Sequence, residues 1–148
     1  MKKIALGVIV GWLAFQVAAA EGEWMTDFAK AQEKAKAENK LVLVDFTGSD
    51  WCPPCKALHK NVFSSAEFAE FAKKNLVLVE VDFPRRKEQS EQVKKANREL
   101  AKKHEIDGYP TVIVFDSKGK QLDKKVGYSG ANAKEYVAEL QKMKDKSS

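Results

Sequence analysis

Residues 41–56, Leu-Val-Leu-Val-Asp-Phe-Thr-Gly-Ser-Asp-Trp-Cys-Pro-Pro-Cys-Lys, constrain the chain most. The run from Leu41 to Phe46 is short, apolar and rich in valine, the pattern of a strand covered on both faces. Gly48 and Ser49 end it. Pro53 and Pro54 lack backbone N–H groups, and the first turn of a helix has no intrahelical partner for those groups anyway. A helix is therefore expected from Pro53, with Cys52 just before it and Cys55 in its first turn. At that spacing the two sulfurs share a side and can bridge. A helix N-terminus favours a thiolate through its partial positive charge and its free N–H groups. Cys52 is then the candidate nucleophile of disulfide exchange, and Cys55, deeper in the helix, the resolving thiol. These are the only two cysteines in the chain. A static disulfide across so short a loop would restrain little of the unfolded chain. The residues alone leave three readings, with redox chemistry ahead of a bound metal and a static disulfide.

The ends of the chain bear on compartment. In residues 1–20, Lys2 and Lys3 precede an apolar run from Ile4 to Val17, and Ala18-Ala19-Ala20 offers a cleavage site before Glu21. That is the form of a secretory signal peptide. The apolar run is 14 residues long, short of the roughly 20 that a spanning helix needs. Cleavage and export to a periplasmic or secreted location are expected, where disulfides form readily. Residues 1–20 hold two of the 26 basic residues and none of the 21 acidic ones, so the mature chain would carry +3. Lysines and glutamates alternate along it without a basic, aromatic-lined stripe, which argues against nucleic-acid binding.

Residues 21–148 read as one domain, large enough for a core of its own. Trp24, Phe28, Ala31 and Ala35 recur at helical spacing, so a helix is expected from Glu21 to Lys40, capped at Thr26 and ended at Asn39, with Trp24 a core anchor. After the Cys-Pro-Pro-Cys helix, Ser64-Ser65-Ala66-Glu67 reads as a capping box that starts a second helix carrying Phe68 and Phe71. Leu76 to Val81 is the next strand. The charged segment Arg85–His104 has a thin apolar stripe of Val93, Ala96, Leu100 and Ala101 and reads as a helix with one buried edge. Val112–Phe115 and Gln121–Val126 flank the turn Asp116-Ser117-Lys118-Gly119 and form a hairpin. Ala131 to Met143 is the last helix, and residues 142–148 are expected to fray.

Asp45-Phe46, then Trp51-Cys52-Pro53-Pro54-Cys55-Lys56, with Gly108-Tyr109-Pro110-Thr111 downstream, resemble the thioredoxin family, in particular its secreted bacterial branch. The resemblance spans about Trp24 to Lys142. It implies an α/β fold, a three-layer α/β/α sandwich around a central mixed four-stranded sheet. It implies a redox disulfide between Cys52 and Cys55, no cofactor and no metal. Pro110 takes the place of the family's cis-proline; on its own an X–Pro bond is expected trans. A cis bond there leaves the Tyr109 backbone free to pair with an extended substrate. Trp51 and Tyr109 would shape the substrate contact. Asp45 resembles the buried acid that assists proton transfer at the resolving thiol. Two features depart from the family. Asp45 precedes Cys52 by seven residues, one more than usual, and Leu78, Val79 and Glu80 stand where the family carries a lysine.

Three functions follow in order. The first is an exported thiol–disulfide oxidoreductase, a monomer acting on protein disulfides. Pro53 and Pro54 give the Cys52 sulfur no N–H donors, which favours a reductant or exchanger over an oxidant. Such a reductant would need a membrane-bound thiol electron donor. The second is a copper- or zinc-binding module using Cys52 and Cys55, with His59 one turn along; His59 otherwise reads as a solvated helix residue. The third is an interaction domain that docks a partner through Arg85–His104. Lys56 after Cys55 excludes the haem-attachment motif, and His104 has no ligand spacing.

Overall fold

A computed structural model of the chain describes residues 22–148. The segment read as a signal peptide, 1–20, lies outside them. The elements in order are β1 (Trp24–Met25), α1 (Phe28–Glu38), β2 (Leu41–Thr47), α2 (Pro53–Leu58), a π-helical stretch (His59–Phe63) and α3 (Ala66–Asn75). Then come β3 (Leu76–Asp82), α4 (Glu91–Lys103), β4 (Thr111–Phe115), β5 (Gln121–Val126) and α5 (Ala133–Ser147). The strands form one mixed sheet in the order β1-β3-β2-β4-β5. β2 runs parallel to β3 and antiparallel to β4, so it sits at the centre.

Period-two alternation divides the core between the two faces of this sheet. Leu41 and Leu43 of β2, Leu76 and Leu78 of β3, and Val112 and Val114 of β4 meet Leu58, Val62, Phe68, Tyr136 and Leu140 from the helices α2, α3 and α5 and the π stretch. Val42, Val44, Phe46, Val77, Val79, Val81, Ile113 and Phe115 meet Ala31 and Ala35 of α1, with Leu100 and Ala101 of α4 at the margin. Every residue of β2 is buried. The result is the three-layer α/β/α sandwich expected.

Helix ends follow local chemistry. The Asp27 side chain accepts from the Lys30 N–H at 3.1 Å, and Asn39 ends α1 in the left-handed region at φ 51°. Ser65, rather than Ser64, caps α3, accepting from the Phe68 N–H at 3.2 Å. Asn132 and Glu135 form a reciprocal capping box at the start of α5.

The structure corrects further expectations. The sheet has five strands, because Trp24 and Met25 pair with Leu78 and Val79; the first helix starts after them, capped by Asp27 and not by Thr26. Trp24 is still an anchor, its ring 5.1 Å from that of Phe63. On α4 the fully buried residue is Asn97, which donates to the Asp82 carbonyl at 3.0 Å, while Ala96 is exposed. The last helix runs past Met143 to Ser147, so the expected frayed tail is helical. Among the described residues no helix is long and apolar enough to cross a membrane.

Phe68 is 1% exposed where α3 meets the sheet, whereas Val126 at the β5 edge is 59% exposed. Phe68→Ala should lower unfolding stability by about 3–5 kcal/mol, and Val126→Thr should stay within about 0.5 kcal/mol of the parent. Urea denaturation measures both.

Candidate active site

The site lies where β2 ends and α2 begins. Cys52 is the N-cap residue of α2, with extended backbone at φ −95°, and Pro53 and Pro54 occupy the first two helical positions. The Lys56 N–H donates to the Cys52 carbonyl at 3.1 Å, closing the first turn. The Cys55 N–H points at Cys52 Sγ, 3.4 Å away. Cys52 and Cys55 are joined as a disulfide. Their exposures, 3% and 4%, do not separate a surface sulfur from a deep one. Their surroundings do: Cys52 caps the helix, whereas Cys55 lines an open cavity of about 360 Å³ together with Asp45, Thr47, His59 and Glu80.

Gly48 does more than end a strand. Its carbonyl accepts from the Trp51 and Cys52 N–H groups at 3.2 and 2.9 Å. A β-carbon at this position would stand 2.4 Å from Trp51 Cε2, so only glycine lets the indole fold back over the turn. Trp51 Nε1 donates to the Phe83 carbonyl at 2.7 Å. The indole meets Tyr109 edge-on at 5.9 Å between centroids, and the Arg85 guanidinium lies 3.9 Å above it. Tyr109 precedes Pro110 through a cis peptide bond. Pro110 is buried, and Tyr109 and Trp51 are half-buried. Trp51, next in sequence to Cys52, thus meets Tyr109, the residue before the cis-Pro110.

A strap after β3 completes the rim. The Asp50 carboxylate accepts from the N–H groups of Arg85, Arg86 and Lys87 at 3.0, 2.7 and 3.1 Å. Those bonds, that of Arg85 foremost, hold its acid strength above the usual carboxylate value. Asp82 binds the Ser49 N–H at 3.0 Å and its hydroxyl at 2.5 Å, and Lys87 Nζ reaches the same hydroxyl at 2.9 Å. The charged segment 85–104 is therefore two things, a strap tied to the active-site turn and the separate helix α4.

Asp45 is 7% exposed and faces the same side of the sheet as Leu41 and Leu43, beneath α2. Its Oδ1 has no hydrogen-bond partner. Burial, reinforced by the charges of Glu80 and Asp82, pushes its pKa up to about 8. The Asp45 side chain is buried despite the seven-residue spacing to Cys52. Glu80 stands opposite Asp45 in the β2–β3 register, and burial raises its pKa too. In the sequence reading Glu80 marked only a missing lysine. Its signal was the alternation Leu76, Leu78, Glu80, which places it on the inward face. Among the described residues no group of three or more His, Cys, Asp and Glu side chains is arranged to hold a metal ion. His59 borders the cavity but is exposed.

These features coincide with what comparison with known proteins returns. A family model described as a thioredoxin-like domain matches residues 28–144. The chain belongs to the thioredoxin-like family. It is 36% identical over 124 residues to the "Disulfide bond reductase DsbH" of Chlamydia pneumoniae, an alignment covering 84% of this chain and 74% of that protein. It is 32% identical over 123 residues to the "Thiol:disulfide interchange protein DsbD" of Pasteurella multocida, covering 82% of this chain but 20% of that protein. A solved structure titled "DsbH Oxidoreductase" superposes with a TM-score of 0.78 at 33% identity, covering 88% of this chain and 89% of that one. With the Cys52–Cys55 pair present, the chain is a thioredoxin-like thiol–disulfide oxidoreductase.

The buried acid carries a stability cost of predictable sign. A carboxyl whose folded pKa is raised contributes favourably only while protonated, so stability is lost as pH rises from its unfolded value, 3.8, to about 8. Asp45→Asn removes that loss. Thermal unfolding of the oxidised protein should show the variant matching the parent near pH 4 and exceeding it increasingly towards pH 8, by up to a few kcal/mol.

Proposed function

We propose that the chain is exported and uses the Cys52–Cys55 pair to reduce or exchange disulfides in other proteins, as a monomer supplied with electrons by a membrane-bound thiol donor. The observation that carries the reductive direction is the setting of Cys52. Its sulfur sits at the N-cap of α2 with one N–H pointing at it, that of Cys55, because Pro53 and Pro54 supply none. A thiolate there is moderately stabilised, and a thiol pair of that kind gives up electrons more readily than one whose thiolate is strongly held. The name of the relative DsbH, a disulfide bond reductase, agrees in direction. Export rests on the sequence of residues 1–20.

In the reaction the Cys52 thiolate attacks one sulfur of the substrate disulfide and expels the other as a thiolate. Cys55 then attacks Cys52 and releases the second substrate sulfur. Two electrons pass from the pair to the substrate, and the pair ends as the disulfide seen in the structure. The rim of Trp51, Tyr109 and the cis-Pro110 holds the extended substrate beside Cys52. Asp45, bordering the same cavity as Cys55, takes the thiol proton as Cys55 attacks.

Two variants test the order of events with a disulfide-containing protein substrate. Cys52→Ser should abolish turnover. Cys55→Ser should instead accumulate mixed disulfides with substrate, visible on non-reducing gels. Turnover retained by Cys52→Ser, or no trapped species with Cys55→Ser, would overturn the scheme.

A further inference from the structure

The cavity behind Cys55 contains a second carboxylate that the scheme above leaves without a role. Adjacent strands lie about 4.8 Å apart, and Asp45 and Glu80 are direct partners in the parallel β2–β3 register, on the same inward face. Both border the cavity of about 360 Å³ that Cys55 lines. Both also border a smaller opening of about 30 Å³ between Trp24 and His59. Their exposure is graded: Asp45 is buried and Glu80 half-buried. No ion pair of the described residues includes either one. The groups facing them are Asp82 farther along β3, Lys87 from the strap, Lys56 and His59 from the helical segment above, and Tyr136 from α5.

Two acids paired on neighbouring strands, one buried and one half-buried, each disfavour the ionised form of the other. Asp45 Oδ1 has no hydrogen-bond partner, so no donor at that atom favours its charged form. We propose that Glu80 is a positioning residue for the resolving step, sharing a proton with Asp45 and passing it to water. The inference rests on the oxidoreductase reading and adds a residue to it. As Cys55 attacks, its thiol proton goes to the Asp45 carboxylate, the Cys52–Cys55 bond forms, and the bond from Cys52 to the substrate sulfur breaks. The substrate leaves as a thiolate and takes its own proton from water. Glu80, the more exposed partner, then gives up the proton it held through the cavity mouth, and the proton on Asp45 becomes the one the pair shares. Glu80 thereby sets the pH at which Asp45 is free to accept.

Two readouts test this. In the oxidised protein neither cysteine titrates, so carbon-13 carboxyl resonances report Asp45 and Glu80 directly. Glu80→Gln, which keeps the size of the side chain, should lower the Asp45 midpoint by about one pH unit, and Glu80→Lys should lower it further. The second readout is the release of thionitrobenzoate from its mixed disulfide with Cys52, followed in a single turnover from about pH 5 to about pH 10. The pH at which release accelerates should fall in Glu80→Gln, making that variant faster than the parent at neutral pH, whereas Asp45→Asn should be slow throughout. An unmoved Asp45 midpoint in both Glu80 variants, or a Glu80→Gln profile that is slower but unshifted, would overturn the role of Glu80 alone. A parent protein that never releases the probe at any pH would remove the oxidoreductase reading, and this inference with it.

Discussion

Burial of β2 on both faces is the constraint from which the rest of the site follows. Leu41 and Leu43 face one helical layer, Val42, Val44 and Phe46 the other, and all are under 2% exposed. A strand so enclosed has no freedom to slide, because a shift of one residue would turn its inward leucines to the wrong layer. The chain must therefore leave the sheet at Thr47 and turn at Gly48. Two prolines then start α2 at Pro53, and the sulfurs arrive at its N-terminus above the end of β2. The same alternation that buries Leu41 and Leu43 continues to Asp45, so a carboxyl group is delivered to the cavity that Cys55 lines.

That delivery makes the electrostatics of the site a consequence of the fold. Parallel pairing with β3 repeats the pattern one strand over, where Leu76 and Leu78 lead to Glu80. The cavity behind Cys55 is lined by acids on the sheet side and by Lys56 and Lys87 at its edge. The strap from Phe83 to Lys87 has a different task. Asp50 ties its backbone, Asp82 ties the active-site turn, and together they hold Trp51 between Arg85 and Tyr109. Rigid placement of these groups lowers the ordering cost when an extended substrate docks.

Much of this was legible in the sequence because it rests on short-range signals. The apolar run and the Cys-Pro-Pro-Cys turn located the sulfurs, while the roles of Asp45 and of a cis Pro110 came from the resemblance to the thioredoxin family, since the residues around Pro110 alone favour a trans bond. What escaped depends on contacts between distant segments. The edge strand Trp24–Met25 is two residues long and exists only because β3 offers a free edge; its apolar spacing also fits a helix. Asn97 rather than Ala96 turns inward on α4, where its amide satisfies the part-buried Asp82 carbonyl at the end of β3. Ser65 rather than Ser64 caps α3 because the π-helical stretch inserts an extra residue into the turn before it. Asp50 carries no local signal, because the N–H groups it accepts from lie 35 to 37 positions away.

The claim on which the account turns is that this geometry makes the pair a donor of electrons. The most direct measurement is the reduction potential of Cys52–Cys55 in the protein, by equilibration with glutathione buffers. One N–H donor at the Cys52 sulfur and a proton-accepting carboxylate behind Cys55 predict a value near the thioredoxin end of the scale, about −270 mV. A value near −120 mV, roughly that of a strong oxidant, would contradict it.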